Sequence, residues 1–148
     1  MKIKITLFSF CLFLVTGINF AQKKDSPKNI IRDKVAINKY HNTSELEGMQ
    51  KGELLNLYIE RIEVLVELLP YVAFATKPGV TMSTLGIPND KDNRKILDER
   101  FESTDNFLEN NLEFQKSILP YSDTNDLISA VLFYEEILKS LHEYSEYH

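Results

Sequence analysis

Residues 54–69 read LLNLYIERIEVLVELL, and eleven of these sixteen are apolar. Leu55, Tyr58, Ile59, Ile62, Leu65, Val66 and Leu69 recur at the spacing of a helix face turned toward a core. Leu54, Leu57, Val64 and Leu68 widen that face beyond one seam, so neighbouring helices must cover the segment from more than one side. The fold is therefore expected to be all-α and arranged around this rod.

Residues 1–21 are read as an address outside the fold. Met1, Lys2, Ile3 and Lys4 make a short basic start, residues 5–20 carry no charge, and Ala21 precedes the polar Gln22, Lys23 and Lys24. This pattern predicts a secretory signal peptide cut after Ala21, with Asn19 departing from the small residue preferred two positions before. An uncleaved anchor would need about 20 apolar residues, more than the run supplies. A lipid attachment would need Cys11 at the end of the run, and it lies inside. The expected location is periplasmic or extracellular. Residues 22–28 are expected to form a disordered leader, and 29–148 a single domain with no stable membrane span.

Cleavage would remove the only cysteine, so this domain must be held by its core without a disulfide. It would also remove Lys2 and Lys4, leaving 15 of the 17 bases against 22 acids, a net charge of −7. Residues 22–52 carry seven bases and four acids, whereas residues 97–148 carry three and twelve. So acidic a surface repels phosphate backbones, which argues against a nucleic-acid partner.

Along the chain, residues 29–40 fit a short helix. Ser44 and Glu47 have the capping-box form, which predicts a helix over 44–69 whose first turns are weakened by Gly48 and Gly52. Pro70 ends it. The stretch 80–86 (VTMSTLG) is too apolar for a free linker and is expected to pack over one end of the fold. Asp92 or Asn93 is expected to cap a helix over 92–118, with Leu97, Phe101, Thr104, Leu108, Asn111 and Ile118 on its core side, broadened by Phe107, Phe114 and others. A last helix, 123–147, sets Leu127, Val131, Tyr134, Leu138 and Leu141 against a polar face of Glu135, Glu136, Lys139, Glu143 and Glu146. Leu-Pro-Tyr closes a helix twice, at 69–71 and 119–121. Together these features predict an antiparallel up-and-down bundle of three long helices with a short N-terminal element.

Reactive constellations are sparse. A di-iron bundle needs Glu-x-x-His on two helices, and the sequence contains none. The carboxylates Glu60, Glu63, Glu67, Glu99, Glu102, Glu109 and Glu113 mostly fall off the apolar stripes and are expected on a solvated face. His142 and Glu146, one helical turn apart, are the metal candidates, though two ligands make a weak site and an ordinary ion pair is the simpler reading. No Gly-x-Ser-x-Gly or Cys-x-x-Cys-His occurs. No catalytic residue and no cofactor is predicted. Two functions remain: a non-catalytic protein-interaction or structural module using Val80, Met82, Leu85, Tyr144 and Tyr147, or a small-molecule or metal-binding bundle.

Overall fold

The structure, a computed structural model, describes the backbone of residues 26–146 and side chains as far as Glu143; the expected signal peptide lies outside the described residues. Among the described residues four α-helices follow in order, α1 (Thr43–Glu47), α2 (Lys51–Leu68), α3 (Lys91–Ile118) and α4 (Thr124–Glu146). Among the described residues there is no strand, only an isolated bridge between Asn29 and Thr81. The fold is all-α. None of its described helices is long and apolar enough to cross a membrane.

The helix expected over 44–69 is two helices. Asn42, not Ser44, is the first cap: its Oδ1 accepts from Glu45 N, and Glu45 Oε2 accepts from Asn42 N, both at 3.0 Å. The reciprocal box is the predicted device, two residues upstream. Helix then stops at Gly48, which costs about 1 kcal/mol relative to alanine if it must propagate. The chain restarts at Gln50, whose N–H is taken by Glu53 Oε2 at 2.8 Å. Asp90 replaces the expected cap of α3, accepting from Asn93 N at 2.8 Å. Both Leu-Pro-Tyr sequences form the same 3-10 turn, Leu69–Tyr71 and Leu119–Tyr121, because proline has no N–H with which to continue the ladder.

The wide apolar face of α2 is divided between two clusters. Leu54 and Leu57 pack with Leu46, Leu127, Ile128 and Val131. Val64, Leu65 and Leu68 pack with Leu138 and with Ile30, Ile31 and Val35. The first half of α2 thus meets the first half of α4 and the second half meets the second, so these two helices run in the same direction. Lys51 Nζ donates to Pro120 O and Ser122 O, both at 2.7 Å, which sets the start of α2 against the end of α3.

The helix expected over 29–40 is absent. This segment is an extended strap with one turn. A helix would put Ile30 and Ile31 on different sides; the extended chain buries both, together with Val35, in a single cluster. Ile30 N donates to Val80 O at 2.8 Å, so strap and loop satisfy each other's backbone. The loop packs on the core as expected, with Val80 and Met82 against the strap cluster. It turns at Gly79 and Gly86, whose φ of 120° and 79° favour glycine.

One buried polar tie joins strap, α2 and α4. Arg61 is 1% exposed and Glu135 0%. Glu135 was expected on the polar face of its helix; it instead occupies the core line Val131–Glu135–Leu138, at i, i+4 and i+7. Arg61 Nε and Nη2 donate to Glu135 Oε1 at 3.0 and 2.8 Å, and Nη2 also donates to Lys39 O at 2.8 Å. Nη1 lies 2.8 Å from Glu60 Oε1, a charge contact without hydrogen-bond alignment. His41 N donates to Glu135 Oε2 at 2.6 Å, and His41 Nδ1 lies 2.9 Å from Oε1. Burial alone would raise the Glu135 carboxyl, but the bonds from His41 and Arg61 outweigh it and hold the group below its ordinary value. This contribution is present above the ordinary carboxylate range and fades as pH falls through the depressed value. Arg61→Met alone is expected to cost about 3–5 kcal/mol in urea unfolding, because it strands a buried carboxylate, while Arg61→Met with Glu135→Leu recovers most of that. A double variant as unstable as the single one would contradict the assignment.

Candidate functional site

Of the residues singled out from sequence, His142 places its Nδ1 2.8 Å from Tyr40 Oη, at the margin of the strap. The Tyr40 ring lies 5.4 Å from Lys139 Nζ, and burial pushes its hydroxyl above the usual tyrosine value. The side chain of Glu146 lies outside the described residues. Among the described residues no group of three or more His, Cys, Asp or Glu could hold a metal. Val80 and Met82 are brought together but half-buried against the strap cluster, whereas Leu85 is exposed. The Tyr144 side chain and the whole of Tyr147 lie outside the described residues.

A groove of about 760 Å³ lies elsewhere, between the strap, α2 and α3. Val35, Val64, Leu108 and Leu112 are its apolar floor. One wall carries Glu60, Glu63 and Glu67 from α2; the other carries Asp105, Glu109 and Glu113 from α3. Among the described residues of its lining the bases are Lys34 and Lys116. The spacing explains the rows: i, i+3, i+7 on one helix and i, i+4, i+8 on the other each draw a line along one side. Like charges one turn apart on a helix repel, so each row costs its helix a few tenths of a kcal/mol per pair unless a cation lies alongside. The five glutamates among these carboxylates were expected on a solvated face. Glu60, Glu109 and Glu113 are exposed, but Glu67 is buried, and the rows look at each other across the groove.

At one end the strap supplies that cation. Arg32 Nε and Nη2 donate to Glu67 Oε2 and Oε1 at 2.8 and 2.6 Å. Its Nη1 and Nη2 donate to Asp105 Oδ2 and Oδ1, both at 2.7 Å. The guanidinium therefore forks onto a carboxylate from each wall, with the Phe101 ring 5.1 Å below it. Lys34 Nζ adds weaker contacts at 3.5 and 3.9 Å to the same two acids. The bond to Asp105, above all, makes Arg32 give up its proton less readily than usual, and Arg32 in return holds Asp105 below the carboxylate range. Further along, no ion pair among the described residues reaches Glu63, Glu109 or Glu113.

No protein-family model, curated protein or solved structure matches this chain, so its function has to be argued from this geometry. The signal that sequence reasoning missed was Arg32 itself, a lone base in a segment with no helical face to fix where it points. Arg32→Ala is expected to lower stability by about 2–3 kcal/mol, since it leaves the buried Glu67 with only the longer contact to Lys34. Asp105→Asn, at a half-exposed partner, should cost less than about 1 kcal/mol. Urea midpoints in the reverse order would contradict this account of the strap.

Proposed function

We propose that this chain is an exported, non-catalytic binding module whose groove receives a basic, extended segment of another protein. The observation that carries the reading is the Arg32 fork, in which a non-helical segment of this chain already inserts a guanidinium between the two acid rows. Glu63 with Glu109, and Glu60 with Glu113, continue the rows below it, each step about 6 Å or less at 1.5 Å of rise per residue. An extended chain advances about 6.6 Å in two residues, so arginines at alternate positions match successive steps. The apolar floor suits the methylene stems of such side chains, and guanidinium is the cation best matched to paired carboxylates. Net acidity concentrated in residues 97–148 would hasten the encounter with a basic partner. Export rests on the basic start, the uncharged run and the Ala21 boundary.

The test is binding of a labelled Arg-x-Arg-x-Arg peptide to the exported protein, whose mass should correspond to a chain beginning at Gln22. Fluorescence anisotropy should show binding that weakens with salt. Replacing Glu63 and Glu109 together by Gln should weaken it at least about tenfold without lowering the melting temperature. Unchanged affinity in that variant would overturn the reading. Competition by free arginine as strong as by the peptide would instead favour a small-cation site.

A further inference from the structure

The outer face of α3 carries a second apolar stripe that the core does not use. Ile96, Phe107, Phe114 and Ile118 are between 48% and 65% exposed. Their spacings of 11, 7 and 4 residues place all four within about 40° of one another around the helix. This face lies well away from the groove side of α3, and Phe107, Phe114 and Ile118 were expected in the core. The core line is Leu97, Thr104 and Leu108, as expected, with Leu112, whereas Asn111, also expected on that side, is exposed.

The borders of the stripe are built for removal from water. Ser103 Oγ donates to Glu99 O at 2.8 Å, Asn110 Nδ2 to Asn106 O at 2.8 Å, Asn111 Nδ2 to Phe107 O at 2.9 Å and Ser117 Oγ to Phe114 O at 2.6 Å. These flanking side chains spend donors on their own helix, so a covering surface strands few of them. Inside the arc the one charged residue is Arg100, in a chain that is otherwise strongly acidic.

We infer that this face pairs with the same face of a second copy, with α3 running antiparallel to its counterpart and the two-fold axis at Phe107. That residue is midway between Ile96 and Ile118, so the two isoleucines meet across the axis. The same register sets Ser103 opposite Asn111, and the Arg100 position, whose guanidinium lies near the Tyr71 hydroxyl of its own chain, opposite Phe114. Parallel pairing would set Arg100 against Arg100 and align the helix dipoles, and both oppose association. The four side chains leave on the order of 100 Å² each in water. With their flanks, two copies bury about 1,000 Å² in total, the lower bound for a specific interface, which implies a micromolar dimer. A bilayer is a poorer occupant, because the surrounding acidity is repelled by anionic headgroups. The pairing leaves the groove of each copy open, so the assembly would be bivalent for the ligand proposed above, although it does not depend on that ligand.

Sedimentation velocity from about 1 to 200 μM should show the native protein passing from monomer to dimer. Phe107→Glu puts two carboxylates on the axis and should raise the dissociation constant at least about 100-fold, with helicity and peptide binding unchanged. In a Cys11→Ser background, Phe107→Cys should oxidise to a covalent dimer, whereas Phe114→Cys should not. A protein that stays monomeric throughout, or a dimer indifferent to Phe107→Glu, would overturn the inference. So would equal cross-linking at 107 and 114, which implies a parallel pair. Binding of the native monomer to phosphatidylcholine–phosphatidylglycerol vesicles, lost in Phe107→Glu, would assign the stripe to a membrane surface instead.

Discussion

The Arg61–Glu135 pair governs how the other parts of this molecule fit together. Two ions removed from water cost several kcal/mol each, and only close geometry with additional hydrogen bonds offsets that. Here the extra bonds come from outside the two helices, from Lys39 O and from His41 N on the strap. The pair is therefore complete only when three separate segments are in place. Sliding α4 by one turn would set Val131 or Leu138 against the guanidinium, leaving a buried charge with no partner. In a chain without a disulfide, such intolerance of error selects one register among the many that leucine-rich helices would accept.

The hydrophobic pattern was enough to read the three long helices, because their periodicity is sustained over many turns and their ends carry proline, glycine and capping carboxylates. It failed where burial and polarity part company. Glu135 shares a line with Val131 and Leu138, and its position pointed to the core while its charge pointed to solvent. Phe107 and Phe114 misled in the opposite sense, because an apolar residue near a core stripe was read as a wider core, not as a second face. The strap was illegible for a different reason: Ile30, Ile31 and Val35 obey no single period, and what decides their conformation is the surface they fill. The groove was half legible. The two acid rows can be found by spacing, but that they line one cleft with Arg32 between them depends on how α2 meets α3, which local sequence does not encode.

The long helix α3 emerges as a three-sided element. Leu97, Thr104, Leu108 and Leu112 face the core, Asp105, Glu109 and Glu113 wall the groove, and Ile96, Phe107, Phe114 and Ile118 face outward. Sidedness of this kind would link stability to the proposed recognition. The strap that completes the buried ion pair at one end also, through Arg32, occupies the upper part of the acidic groove. Binding in that groove would therefore be felt by the strap, and by way of His41 and Lys39 by the pair beneath it.

Native-state hydrogen exchange at the His41 amide tests this most directly. The amide belongs to no helix, yet it donates to a fully buried carboxylate. If the buried pair is what fixes the strap, His41 should exchange as slowly as the central amides of α2, only through global unfolding, and Glu135→Gln should accelerate it far more than it accelerates those of α2. An amide that exchanges in the native protein as fast as those of an exposed turn would contradict the account.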